Sequence, residues 1–261
     1  MAIKERYDAV WTEIADAEIA GTEPPWDGDS PVPMLPVAQL FLRDVPLLRP
    51  PGQADLLQVL WCPYDHDPDN KPVTVLVWRS AATVVNILSV PPEPLEADYD
   101  GYVPKPCRLA PEQITEYPNS LDLSRDVRQL LEDRSRWQAA GVAMDSSYVD
   151  HPESFYSCEL AESPGWKVGG WPPWGRTDPY RRFCSVCDAH MVPLLTIASF
   201  EWDSGTRGWA PYEDQAAAFA DGRVAGRSPA QPTAVEVGST DNMQLYVCPV
   251  SPEHPHTDMI Q

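Results

Sequence analysis

Basic side chains are scarce. Nineteen Lys and Arg stand against 39 Asp and Glu, a formal charge of −20 with His neutral. A protein that neutralises phosphates needs a cationic stripe, so this balance excludes DNA, RNA and an anionic bilayer as default partners. Long apolar runs are missing as well. No stretch approaches the roughly 18 apolar residues of a membrane span, and residues 1–20 carry Lys4, Glu5, Arg6, Asp8, Glu13, Asp16 and Glu18 in place of an apolar signal core. Asn-x-Ser/Thr acceptors are absent too. These gaps predict a cytoplasmic chain, in which the six cysteines serve as thiols or metal ligands and not as a disulfide framework. Catalytic signatures are also lacking: there is no Gly-x-Ser-x-Gly, Walker loop, Gly-x-Gly-x-x-Gly or His-Glu-x-x-His.

What is present suits a folded protein. The 261 residues are 43% hydrophobic and 22% charged, enough apolar material to bury a core. The 30 prolines are scattered, at roughly twice the average usage of about 5%. Because proline has no N–H and breaks helices and central ladders, the expected architecture is mainly β (α+β), with short strands, turns and a few peripheral helices.

Three blocks recur in order along the chain. Pro24-Pro25-Trp26 returns as Pro172-Pro173-Trp174, and Met34-Leu35-Pro36-Val37-Ala38-Gln39-Leu40 as Met191-Val192-Pro193-Leu194-Leu195-Thr196-Ile197. The closest pair is Asp55-Leu56-Leu57-Gln58-Val59-Leu60-Trp61-Cys62-Pro63 with Asp241-Asn242-Met243-Gln244-Leu245-Tyr246-Val247-Cys248-Pro249. This order indicates an internal duplication of antiparallel β units. Second and third blocks each read as strands, and the third ends in a Cys-Pro exit. Val73-Thr74-Val75-Leu76-Val77-Trp78 and Thr83-Val84-Val85-Asn86-Ile87-Leu88, rich in β-branched residues, add two strands to the first unit. Apolar spacing predicts a helix within 1–22 (Ile3, Tyr7, Val10, Trp11, Ile14), a second from near Ser124 to Gly141, and a third from Tyr212 to Ala220. Residues 91–106, acidic until Lys105, read as a solvated loop. The resulting division is a helix over 1–22, a first β unit over 23–110, a helical connector over 111–160 and a second β unit over 161–261.

The second unit carries an insertion. Trp26 and Met34 are 8 positions apart, Trp174 and Met191 are 17, and the nine extra residues bring Cys184-Ser185-Val186-Cys187. A two-residue gap turns both sulfurs toward one ion, half of a zinc knuckle. Cys248, at a strand end, and His254 complete a Cys3His set, with His256 competing for the fourth place and His190 in reserve. Soft thiolates with a borderline imidazole suit structural zinc. A buried thiol at Cys248 beside an incidental Cys-x2-Cys is the plain alternative; a redox pair is disfavoured because a strand-like run follows. Cys62-Pro63-Tyr64-Asp65-His66 repeats the motif without a partner, so the first unit holds no complete site. Cys107 and Cys158 read as structural.

Trp166-Lys167-Val168-Gly169-Gly170-Trp171-Pro172-Pro173-Trp174 holds three indoles in nine residues. Its glycines permit torsions or close approaches that other residues do not, and its prolines stiffen the exit. It is either a loop that lids the core or a binding surface formed by Trp166, Gly169, Gly170, Trp171 and Trp174.

Lys167-Val168-Gly169-Gly170-Trp171-Pro172-Pro173-Trp174, then Cys184-x2-Cys187 and Leu194-Leu195-Thr196-Ile197, resemble the YwqG-like family of bacterial proteins of unknown function. More distantly they resemble the C-terminal domain of programmed cell death protein 2 type proteins, over about residues 165–256 with an echo in 24–78. The chain departs from the latter pattern at Thr196, where Gln is usual, at a histidine in place of the last cysteine, and in lacking a second zinc-binding domain. The resemblance implies a duplicated antiparallel β fold and, from the eukaryotic relatives, an escort role toward a ribosomal protein. The expected function is a non-catalytic protein-binding or escort module with structural zinc, its acidic surface steering a basic protein partner. A zinc hydrolase with an open coordination position and an immunity-type protein that caps a toxin are the rivals. The sequence leaves the oligomeric state open.

Overall fold

The computed structural model describes residues 12, 19–21, 32–92, 94, 97–219 and 228–261. The first repeated block and the helix expected within 1–22, apart from Thr12 and residues 19–21, lie outside this set, as do Ala220 and the expected stop at Gly222. Seven strands form two antiparallel sheets. One has the order β1 (Leu35–Phe41), β2 (Leu56–Trp61), β3 (Thr74–Arg79); the other has β4 (Lys167–Val168), β5 (Val192–Ala198), β6 (Asn242–Val247), β7 (Thr257–Ile260). Among the described residues four short α-helices of known bounds accompany them: α1 (Arg125–Leu131), α2 (Arg134–Ala139), α3 (Pro152–Glu159) and α4 (Gln215–Ala218). The fold is mainly β, of the α+β type. No helix among the described residues is long and apolar enough to cross a membrane.

The repeated blocks occupy the same register in both sheets. Leu35 pairs with Trp61, Pro36 with Leu60 and Ala38 with Val59; the block equivalents Val192, Pro193 and Leu195 pair with Val247, Tyr246 and Leu245. Each ladder shifts by one residue directly after its proline, at Val37 and at Leu194. Proline cannot donate to the ladder, and a bulge at its side is the way a strand admits it. The bulge also reconciles Leu35 and Leu40, five apart and both buried, with the two-residue period of a strand.

One apolar core joins the sheets. Leu35, Leu57, Val59 and Trp61 from the first meet Leu195, Ile197, Met243 and Leu245 from the second, with Tyr102, Val235 and Val237 closing the sides. Each such side chain, fully buried, contributes about 1.5–3 kcal/mol. The Trp61 indole N–H donates to the Tyr102 carbonyl at 2.8 Å, so the largest core ring brings no orphan donor inside. The outer face of the second sheet is covered too. Gln244 donates to the Pro173 carbonyl at 2.7 Å and accepts from the Tyr246 hydroxyl at 2.7 Å, and Trp174 packs on Met191, Tyr246 and Met259. In the first sheet the equivalent Gln58 is half-buried and donates to Gln39.

Three sequence expectations change. Thr83-Val84-Val85-Asn86-Ile87-Leu88 is not a strand: a 3-10 turn, Ala81–Thr83, follows β3, Asp55 accepts from the Ala81 amide at 2.6 Å, and the chain leaves the sheet. Val85 and Ile87 are each 84% exposed; extended propensity without a pairing partner or a covered face does not make a strand. The helix expected from Ser124 to Gly141 is two helices. Asp133 adopts an extended conformation and its carboxylate accepts from the Ser135 amide at 3.0 Å, capping α2 where continuous helix was expected. The Trp137 indole donates to the Leu131 carbonyl at 2.7 Å, satisfying the end of α1. Third, the described part of 91–106 is not solvated throughout: the 3-10 turn Asp100–Tyr102 buries Tyr102 in the main core. Edge strand β7 closes the second sheet, Tyr246 pairing with Thr257 and Met243 with Ile260.

Candidate metal centre

The inserted Cys-x2-Cys is a tight hairpin tip. Phe183 and His190 pair across it, the Cys184 amide donates to the Ala189 carbonyl and the Asp188 amide to the Cys184 carbonyl, both at 2.9 Å. Asp188 closes the turn with φ +57, a left-handed conformation that Asp tolerates better than most non-glycine residues. This turn leaves the Val186 amide 3.4 Å from the Cys184 sulfur. The second tip begins where β6 ends. Cys248 follows Val247 directly, and the His254 amide donates to the Ser251 carbonyl at 3.2 Å, folding the imidazole back over the strand end.

The tips meet. Cys184 Sγ lies 3.4 Å from His254 Nδ1 and Cys187 Sγ lies 3.4 Å from Cys248 Sγ. All four ligand atoms fall within 4.8 Å of one another. Tetrahedral zinc, with metal–sulfur near 2.3 Å and metal–nitrogen near 2.0–2.1 Å, needs ligand separations of about 3.6–3.8 Å; the four atoms surround a space of that order. The residues therefore form a set able to hold a metal ion.

The electrostatics favour a cation there. Burial opposes ionisation at Cys184, but the amides of Val186 and Cys187 outweigh it and hold the thiol below its ordinary value. Burial opposes ionisation at Cys248 as well, and the amides of Ser251 and Val250 lower its value in the same way. Cys187 moves upward: the Ala189 amide favours its thiolate, but bonding to Cys248 and the neighbouring Cys184 charge raise it. Negative charges this close cannot all form without a compensating ion. Cys184 and Cys248 are 3% and 2% exposed, His254 is half-buried and Cys187 reaches the surface. Met191, Tyr246 and Met259 pack around them as a small cluster apart from the main core.

The remaining candidates separate cleanly. His256 is not in the tetrad; its Nε2 lies 2.8 Å from the Thr74 hydroxyl of β3. His190 packs against the Phe183 ring at 5.9 Å. Cys62 occupies the Cys248 position of the first sheet, and its amide donates to the Val73 carbonyl at 3.0 Å; among the described residues no cluster of ligands surrounds it. None of the six cysteines is in a disulfide, and Cys107 is exposed.

In the tryptophan-rich segment, Trp166 donates to the Ala198 carbonyl at 2.9 Å and packs on the main core. Trp174 donates to Asp122 at 3.0 Å, whereas Trp171 keeps 40% of its surface exposed. Gly169 and Gly170 have φ +70 and +76. They wrap a residue that sequence reasoning missed: Glu116 accepts from the Ser163 amide at 2.7 Å, Lys167 Nζ at 3.0 Å and the Trp171 amide. Lys71, Thr74 and Asp258 were missed as well. Asp258 accepts from both Lys71 Nζ and the Thr74 hydroxyl, joining β7 to the first sheet. No local pattern signals a pair 187 positions apart; only the alternation of His254, His256 and Asp258 along the approach to β7 points toward it.

Two open surface depressions are lined by Phe41, Leu42, Arg43 and Asp55, and by Arg125, Arg128, Gln129 and Glu132. Neither includes a tetrad residue. Comparison of the chain with family models, curated proteins and solved structures finds no match.

Proposed function

We propose that the chain is a non-catalytic protein-binding or escort module of a reducing compartment, its second half pinned by structural zinc on Cys184, Cys187, Cys248 and His254. The observation that carries this is the closed donor set: three sulfurs and one imidazole within 4.8 Å. Four protein ligands complete a tetrahedron, whereas a hydrolytic zinc keeps a position open for water. Thiolate-rich ligation suits zinc over calcium or magnesium, which take oxygen ligands. The distant sequence resemblance to the C-terminal domain of programmed cell death protein 2 type proteins supports the escort reading.

Exposed apolar side chains favour the binding role. Trp171 stands at the surface of the glycine loop, and Val85, Ile87, Leu88 and Val90 are all more than half exposed. Large contiguous exposed apolar patches mark interaction sites. A net charge of −20 draws a basic protein and repels a second acidic copy. An immunity-type role would use the same surface toward a toxin.

Metal analysis of the purified protein with Cys184→Ser, Cys187→Ser and Cys248→Ser tests the zinc. Occupancy and thermal stability are expected to fall together in each variant. Retained stability with loss of a hydrolytic activity would establish the rival enzyme. Binding is tested by placing a photocrosslinker at Trp171 or Ile87 in the native host, at low and raised salt. A basic protein whose capture weakens as salt rises is expected; no cross-linked product at either salt concentration refutes the binding role.

A further inference from the structure

We infer that Lys71 and Thr74, both from the first half of the chain, are positioning residues of the metal centre, which makes the ion's affinity a property of both halves. This inference rests on the zinc reading above. The shared register places Leu60 opposite Val75 and Tyr246 opposite Thr257, so Thr74 and His256 hold equivalent places in the two units, one residue before those pairs. They meet each other: the Thr74 hydroxyl is 2.8 Å from His256 Nε2. Two residues farther along, Asp258 receives both the Thr74 hydroxyl and Lys71 Nζ. The side chains of Lys71 and Asp258 are 11% and 13% exposed, shielding the pair from solvent.

The ligand-bearing loop runs from Cys248 to His256. At one end it is anchored by β6, which delivers Cys248. At the other, only Pro255 separates His254 from His256, and proline's fixed φ leaves little slack between the two. Whatever fixes His256 and Asp258 against the first sheet therefore fixes where His254 stands relative to the Cys184/Cys187 tip. Without Lys71 and Thr74, His254 would have to be ordered at the moment of metal binding, and affinity falls when ordering accompanies binding. Outer residues that orient metal ligands alter affinity by about 10–100-fold. Because these two act through the loop and not on a ligand atom, a loss of about tenfold, the low end of that range, is expected. Linkage is reciprocal, so zinc must tighten the contact between β7 and the first sheet by the same factor.

The test uses the full chain and zinc alone as the probe, titrated in competition with a chromophoric chelator. Thr74→Val and Lys71→Met are expected to weaken zinc roughly tenfold, while Thr74→Ser, which keeps the hydroxyl, binds like the parent. Cobalt substitution reads the centre directly: a tetrahedral thiolate spectrum should persist in the variants but saturate at higher cobalt. Lys71→Met leaves the buried Asp258 carboxylate without its cation and can impair folding, so amide hydrogen exchange of the unaltered protein supplies a second measurement. Zinc is expected to slow exchange in β3, on the half of the chain that holds no ligand. Equal zinc affinity in parent, Thr74→Val and Lys71→Met overturns the inference and leaves the zinc reading standing, as does β3 exchange indifferent to zinc. A parent that binds no zinc overturns both.

Discussion

Two adjacent glycines with nearly the same torsion should respond very differently to one methyl group. Gly169 and Gly170 have φ +70 and +76, so alanine at either meets the left-handed penalty of about 1–2 kcal/mol. At Gly169 nothing lies within 4 Å of the added carbon, and the penalty ends there. At Gly170 the same carbon falls inside the contact distance of Glu116 Oε1 and 2.9 Å from its Cδ. A free surface carboxylate would swing aside, but Glu116 is 8% exposed and held by the Ser163 amide, Lys167 and the Trp171 amide. Yielding means giving up at least one charge-assisted bond, about 1.5–3 kcal/mol. Gly170→Ala is therefore expected to cost about 2.5–5 kcal/mol in total and Gly169→Ala about 1–2. Urea unfolding reads both as shifts of midpoint at constant m. Placing Gly170→Ala in a Glu116→Ala background should reduce its cost to that of Gly169→Ala. Equal destabilisation by the two single substitutions would refute the close approach as the reason for the second glycine.

Burial raises the Glu162 carboxyl, against bonds from its own backbone amide and from Asn119, and its Oε2 has no partner. The folded chain then holds a proton there that the unfolded chain releases, so this group's contribution to stability declines as pH rises from the ordinary carboxylate range through the raised value. Glu162→Gln should raise the thermal midpoint at pH 8 and lose that advantage at about pH 3, where both states are protonated; an equal gain at both pH values contradicts the assignment. Leu57→Ala, in the shared core at 0% exposure, is expected to cost about 2–5 kcal/mol, whereas Ile87→Ala should fall within about 0.5 kcal/mol of the parent. Denaturant midpoints for this pair check whether the 84–90 tract really lies outside the core.

The matching register of the two sheets was legible because it is written in apolar spacing and in paired prolines. Pro36 and Pro193 stand at matching places, and the ladders bulge after both. The cluster able to hold a metal ion was legible for a similar local reason: Cys-x2-Cys is a turn geometry, and Cys248 follows a readable strand. The choice between His254 and His256 was not, because it depends on Thr74, contributed by a distant strand. The break at Asp133 needed only the recognition that aspartate caps helices more readily than it continues them. By contrast, Val85 and Ile87 carry every local sign of a strand, and only the course of the chain after Ser80 leaves them unpaired. Glu116 left no pattern at all; its role appears when Lys167, Ser163 and Trp171 converge on it from more than 40 positions away.

The bulge after each of these prolines makes the chain sensitive to length in a way that substitution scanning would overlook. Strand side chains alternate faces and the bulge absorbs one residue, so excising Val37 or Leu194 restores a regular ladder and leaves the residues on both sides of the proline in phase. With Val37 gone, Leu35 and Leu40 would stand four positions apart and still share a face, whereas a residue added between them, beyond the one the bulge absorbs, would send one of the pair into water. Replacing Val37 by alanine trims a half-buried methyl pair and keeps the phase. A one-codon insertion there should consequently be far more damaging than a conservative exchange or a one-codon deletion at the same site, and the twin position in the other sheet should behave alike.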